Sequence, residues 1–71
     1  MKRIPIQSGE LISVGYDAEL QILEIEFSDH KIYQFISVTA DVYASLMNAT
    51  DKYQFYISSV MYQFAGQCIS A

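Results

Sequence analysis

From Leu11 to Ile36 apolar and polar positions alternate, and beyond Thr39 the spacing changes to that of helices. Leu11 to Tyr16 sets Ile12, Val14 and Tyr16 on one side of an extended strand, with Leu11, Ser13 and Gly15 on the other. Asp17-Ala18-Glu19 reads as a turn. Leu20 to Phe27 then sends Leu23, Ile25 and Phe27 one way and Glu24 and Glu26 the other, the pattern of a half-buried strand. Ser28-Asp29-His30 is short enough for a tight hairpin loop, and Lys31 to Ile36 returns as a third strand. Turns this short imply antiparallel neighbours. Residues 1–9 contain Pro5 and are expected to form an irregular lead-in.

After the strands, Val42, Tyr43, Leu46 and Met47 form one apolar stripe. Thr39 is positioned to cap this helix and Asp41 suits its positive end, with termination near Asn48. Thr50 or Asp51 can cap a second helix, along which Ile57, Val60, Met61, Phe64 and Cys68 recur at helical spacing. Gly66 is expected to shorten it. The expected fold is therefore α+β, a three-stranded antiparallel β-meander followed by two helices packed on one sheet face, as one domain over residues 1–71. Its expected core is Leu23, Ile25, Phe27, Phe35, Val42, Leu46, Ile57, Val60, Met61 and Phe64. The other sheet face, with Glu24 and Glu26, is left to water or a partner.

Composition adds a constraint of size. A chain of 71 residues buries only about 60% of its unfolded surface, so its stability margin is thin. The 52% apolar content, with six Tyr and four Phe, suffices for one core and leaves aromatic side chains for the surface. Self-association as a homodimer is a common remedy for so small a core.

The net charge of −4 argues against a nonspecific polyanion binder, because phosphate affinity comes mainly from Lys and Arg. Glu10, Asp17, Glu19, Glu24, Glu26 and Asp29 all precede Lys31, and no basic residue lies between Arg3 and Lys31. Such a face is either simply solvated or suited to a basic partner. The single cysteine excludes an internal disulfide and a multi-cysteine zinc site. Lys2 and Arg3 are followed by Pro5, Gln7 and Glu10 rather than by an apolar run, so no signal peptide is read and a cytoplasmic location is expected. Tyr53 to Ala71 carries no charge, yet Gln54, Ser58, Ser59, Gln63 and Gln67 interrupt it too often for a membrane span.

Several segments in order carry a resemblance. Ile12-Ser13-Val14-Gly15-Tyr16-Asp17 and Leu23-Glu24-Ile25-Glu26-Phe27 are followed by Tyr33-Gln34-Phe35 and Val42-Tyr43-Ala44-Ser45-Leu46, with Lys52-Tyr53, Ile57 and Tyr62 beyond. From Ser8 to Tyr62 the chain resembles the KTSC domain, the short module named after the C-terminus of some lysyl-tRNA synthetases and found also as free-standing proteins. It departs from the family pattern in having Phe35 as the second aromatic of the central doublet. Asp29-His30 stands where a hairpin glycine is frequent, Val38-Thr39 where Val-Pro is frequent, and Asp51 where a glycine often precedes the Lys-Tyr pair. Basic residues common late in the family are absent after Lys52. The resemblance implies a small binding module, and RNA or tRNA binding has been suggested for the family.

Residues that could carry chemistry have simpler explanations. His30 lies in a hairpin beside Asp29, where neighbouring side chains diverge, and lacks the geometry of a triad base. Cys68 falls on the apolar stripe and is expected as a small core residue. Glu24 and Glu26 point the same way at about 7 Å, a spacing open to acid/base work, but a solvent face explains both. Gly9, Gly15 and Gly66 are isolated and make no phosphate loop. The chain is therefore expected not to be an enzyme and to need no cofactor and no metal.

Two surfaces remain. On a continuous last helix, Phe55, Ser58, Ser59, Tyr62, Gly66 and Ile69 fall opposite the core stripe and form an uncharged face. Phe55, Ser59, Tyr62 and Ile69 are its candidates for a protein contact with a partner or a second copy. For RNA, Tyr16, Tyr33 and Phe35 would stack bases if they lay on an open sheet face, with Lys31 and Lys52 on phosphates. The alternative is that Tyr33 and Phe35 bury against the helices. A protein-binding or self-associating accessory domain ranks first, RNA binding second, and an acidic inhibitor encoded by a mobile element third.

Overall fold

Short-range hydrogen bonds set the turns. The Asp17 carboxylate accepts from the amides of Glu19 and Leu20 at 3.0 and 3.1 Å and closes one hairpin. The next is a three-residue loop in which His30 takes φ +71°, the left-handed conformation where glycine is more usual. The computed structural model describes residues 3–70. Its strands are β1 (Arg3–Ser8), β2 (Leu11–Asp17), β3 (Ile22–Phe27), β4 (Ile32–Phe35) and β5 (Gly66–Ser70). Between β4 and β5 lie helix α1 (Ala40–Asn48), helix α2 (Lys52–Phe55) and a π-helical turn (Tyr56–Val60) that continues α2.

The fold is α+β with an antiparallel sheet, but the sheet has five strands in the order β1-β2-β3-β4-β5 rather than the three expected. Two additions explain the difference. Pro5 sits in edge strand β1, where a missing amide is tolerated, and the ladder is irregular between Pro5 and Ser8. At the other end, the chain leaves its helix after Val60, turns, and enters β5 beside β4. The lead-in over residues 3–8 is thus a strand, and the last stretch from Gly66 is a strand rather than helix.

Facing residues on paired strands share a side of the sheet. Val14 faces Ile25, Tyr16 faces Leu23, and Ile25 and Leu23 face Tyr33 and Phe35 in turn. These point to the helices. Ser13 with Glu26, and Gly15 with Glu24 and Gln34, occupy the side away from them. The buried core comprises Leu11, Val14, Leu23, Ile25, Phe35, Val38, Leu46, Tyr56 and Val60. Phe27, Val42, Ile57 and Phe64 pack partly buried against it.

The expected core needs two removals and some additions. Met61 is 46% exposed and Cys68 is exposed on β5. Helical counting fails there because the Met61 amide donates to the Tyr56 carbonyl at 2.9 Å, a five-residue step. That wider turn rotates every later side chain away from its α-helical position. Leu11 joins the core together with Val14 because the β2–β3 register shifts between Leu11 and Ser13, which overrides simple alternation. At the helix starts, Asp51 accepts from the Gln54 amide at 3.0 Å, whereas Thr39 caps α1 without a side-chain hydrogen bond.

Candidate functional site

Aromatic residues from distant parts of the chain meet at one end of the helix-covered face. Tyr33 and Phe35 alternate with Gln34 on β4 and so point to the same side, opposite Ile25 and Leu23. Phe27 closes β3. Tyr53 and Tyr56, three apart on α2 and its π-helical continuation, come down on them. Tyr56 is the hub: its ring centroid lies 5.4 Å from Phe27, 5.8 Å from Phe35 and 6.4 Å from Tyr53. Phe27 and Tyr33 meet edge to face at 5.5 Å.

These rings wall a cleft of about 360 Å³. Glu10, Asp29 and Lys31 stand at its rim, with Met61 and Gly66 beside the rings. The size is at the low end for small-ligand sites, and apolar walls with a few polar groups are what such sites share. Position 66 favours glycine, because a Cβ there would run into the ring of Phe35.

The acidic rim is held in place. Tyr53 donates its phenolic hydrogen to Glu10 Oε2 at 2.8 Å, and its amide donates to Ser8 Oγ at 3.2 Å. The Glu10 carbonyl accepts from the Ser28 amide, and Asp29 Oδ1 accepts from the Lys31 amide. The hydrogen bond to Glu10 raises the Tyr53 phenol above 10.0. Burial raises that of Tyr56, helped by the neighbouring phenols of Tyr33 and Tyr53. At neutral pH the phenols of Tyr53 and Tyr56 are therefore neutral.

The opposite side of the sheet is organised around Glu24. It accepts from Gln34 Nε2 at 2.9 Å and pairs with Arg3, while Glu26 accepts from Ser13 Oγ at 2.9 Å. Burial pulls the Glu24 carboxyl upward, but the bonds from Gln34 and Arg3 and the Arg3 charge outweigh it and hold the group below 4.5. Glu24 is only 6% exposed, so on a face expected to meet water or a partner this carboxylate is instead buried and bonded within the sheet. Alternation along β3 does not reveal this burial, because Arg3 falls in the stretch expected to be an irregular lead-in.

Of the residues considered for RNA, Lys31, Tyr33 and Phe35 line the cleft, and Tyr16 and Lys52 do not. Tyr16 is stacked on Tyr43 at 4.7 Å and donates its hydroxyl to the Val38 carbonyl. Lys52 Nζ donates to the Ala49 carbonyl. Phe35 is 3% exposed, buried on the helix side rather than displayed on an open sheet. The alternative, burial against the helices, holds for Phe35, so the open-face condition for base stacking is not met there.

Of the residues considered for a protein contact, the continuous helix face they required is broken by the end of the helix at Val60. Phe55 lies on α2, Ser59 in the π-helical turn, Tyr62 in the following turn and Ile69 on β5. Tyr62 is 81% exposed and follows Met61, which lines the cleft. Glu10, Phe27, Tyr53 and Tyr56 escaped the sequence reading. Tyr53 and Tyr56 are spaced for one helix face, but their partners are supplied by strands far away in the chain.

Among the described residues no helix is long and apolar enough to cross a membrane. The model of the KTSC domain matches residues 7–64. An uncharacterized protein of Stutzerimonas stutzeri (strain A1501) is 47% identical over 49 residues, 69% of each chain. The crystal structure of a KTSC domain protein from Yersinia pestis superposes with a TM-score of 0.93 at 29% identity, covering 97% of both chains.

Proposed function

The chain belongs to the KTSC domain family, and from that footing we propose that it is a non-enzymatic protein-binding module whose working surface is the aromatic cleft. One observation carries the reading: five rings, from Phe27, Tyr33, Phe35, Tyr53 and Tyr56, converge on a cleft that fixed polar groups rim on one side. Aromatic side chains supply large contact area at low entropic cost, which is why they concentrate at protein interfaces. Met61, which lines the cleft, is 46% exposed and adds apolar area to it, and the next residue, Tyr62, is exposed. A nucleic acid is less suited to it, since among the described residues Lys31 is the single cation lining the cleft against Glu10 and Asp29. A second copy is less suited for the same reason, because each copy carries a net charge of −4.

Photocrosslinking tests this. With p-benzoylphenylalanine in place of the exposed Tyr62, irradiation of cells yields a discrete adduct that protease removes and nuclease leaves intact. An adduct destroyed by nuclease, or none beyond background, contradicts the reading.

A further inference from the structure

The cleft has a chemical bias that narrows what enters it. The faces of aromatic rings carry negative potential and attract ammonium and guanidinium groups, more strongly once water is excluded. Here the rings of Tyr33, Tyr53 and Tyr56 line the same cleft as two carboxylates, those of Glu10 and Asp29. Both carboxylates are fixed by hydrogen bonds, from the Tyr53 hydroxyl and from the Lys31 amide. Neither is neutralised: among the described residues the only ion pair joins Arg3 and Glu24, on the other side of the sheet. Lys31 contributes one positive charge to the rim, which the two acidic groups outweigh. Aromatic rings and uncompensated carboxylates lining one cleft suit an organic cation, and neither the apolar walls nor the acidic groups alone would.

We propose that this cleft receives the charged side chain of an arginine or lysine presented by a basic segment of the partner. The inference rests on the reading of the chain as a protein-binding module and adds the chemistry that would recognise the partner. Charge complementarity chooses the occupant, because a chain of net charge −4 steers basic segments toward itself. The hydrocarbon stem of either side chain would lie along the rings, with its charged end at Glu10 and Asp29.

The test is a titration of the isotopically labelled chain with three blocked tripeptides, Gly-Arg-Gly, Gly-Lys-Gly and Gly-citrulline-Gly, followed by amide chemical shifts. Citrulline keeps the shape of arginine without its charge. The expected result is saturable shifts at Glu10, Lys31, Tyr33 and Tyr53 with the two cationic peptides, and about tenfold weaker binding of the citrulline peptide. Glu10→Gln retains an oxygen for Tyr53 to bond and so keeps the fold; it should weaken the arginine peptide by about three- to tenfold. Equal binding of arginine and citrulline peptides would overturn the inference while leaving an apolar protein contact in place. Absence of saturable shifts would overturn it as well. Failure of the underlying reading shows separately, as a nuclease-sensitive adduct or no adduct from position 62.

Discussion

Glu24 is a carboxylate in a nearly closed environment on the sheet side without helices, and its partners decide its protonation. Because its folded pKa lies below 4.5, the ionised group stabilises the fold above that value. The contribution is lost as pH falls through the lower folded value, so it disappears in the acid range beneath about pH 4.5. Glu24→Gln removes this dependence and leaves Arg3 without its partner. It should cost about 1–3 kcal/mol at neutral pH and reduce the further loss on acidification. Urea unfolding followed by circular dichroism at neutral and acid pH checks this; a mutant that declines in parallel with the parent contradicts it. Sequence pattern placed Glu24 on the correct side of β3 but could not show its burial. That depends on Gln34 from neighbouring β4 and on Arg3, which reaches it from β1 across β2.

At the scale of elements, the cleft depends on how β5 passes Phe35. The ring occupies the space a side chain at position 66 would need. Gly66→Ala must push Phe35 or β5 aside, with an expected loss of about 1–3 kcal/mol and a lower urea midpoint. An unchanged midpoint would mean that β5 does not pack there. The central strands and α1 were legible because their alternation and helical spacing each run uninterrupted for several residues. β1 was not, because Pro5 and the irregular ladder hide its periodicity. β5 was not, because Ile57, Val60, Met61, Phe64 and Cys68 imitate a single helix across the π-helical turn. Nothing local separates those cases. The pairing of β5 with β4 is a tertiary event, and the cleft, built from β3, β4, α2 and its π-helical continuation, shares that dependence.

For the whole molecule, the two sides of the sheet are unlike. One is a hydrogen-bonded polar network in which Glu24 pairs with Arg3 and Gln34 and Glu26 accepts from Ser13. The other ends in an aromatic cleft whose rim carboxylates face outward without a cation paired to them among the described residues. The family pattern was visible in the order of its motifs, and the likeness to solved KTSC architecture extends over nearly the whole chain. What the linear pattern lacked was the gathering of Tyr33, Tyr53 and Tyr56 around one cleft, and that gathering defines the surface.

The most direct test of the cleft as the working surface is an amide chemical-shift map of the labelled chain with the protein captured through position 62. The account predicts that perturbations cluster at Glu10, Phe27, Tyr33, Tyr53 and Gly66 and leave Ser13, Glu24 and Gln34 unmoved. Perturbations centred on Ser13, Glu24 and Gln34, with the cleft residues silent, would contradict it.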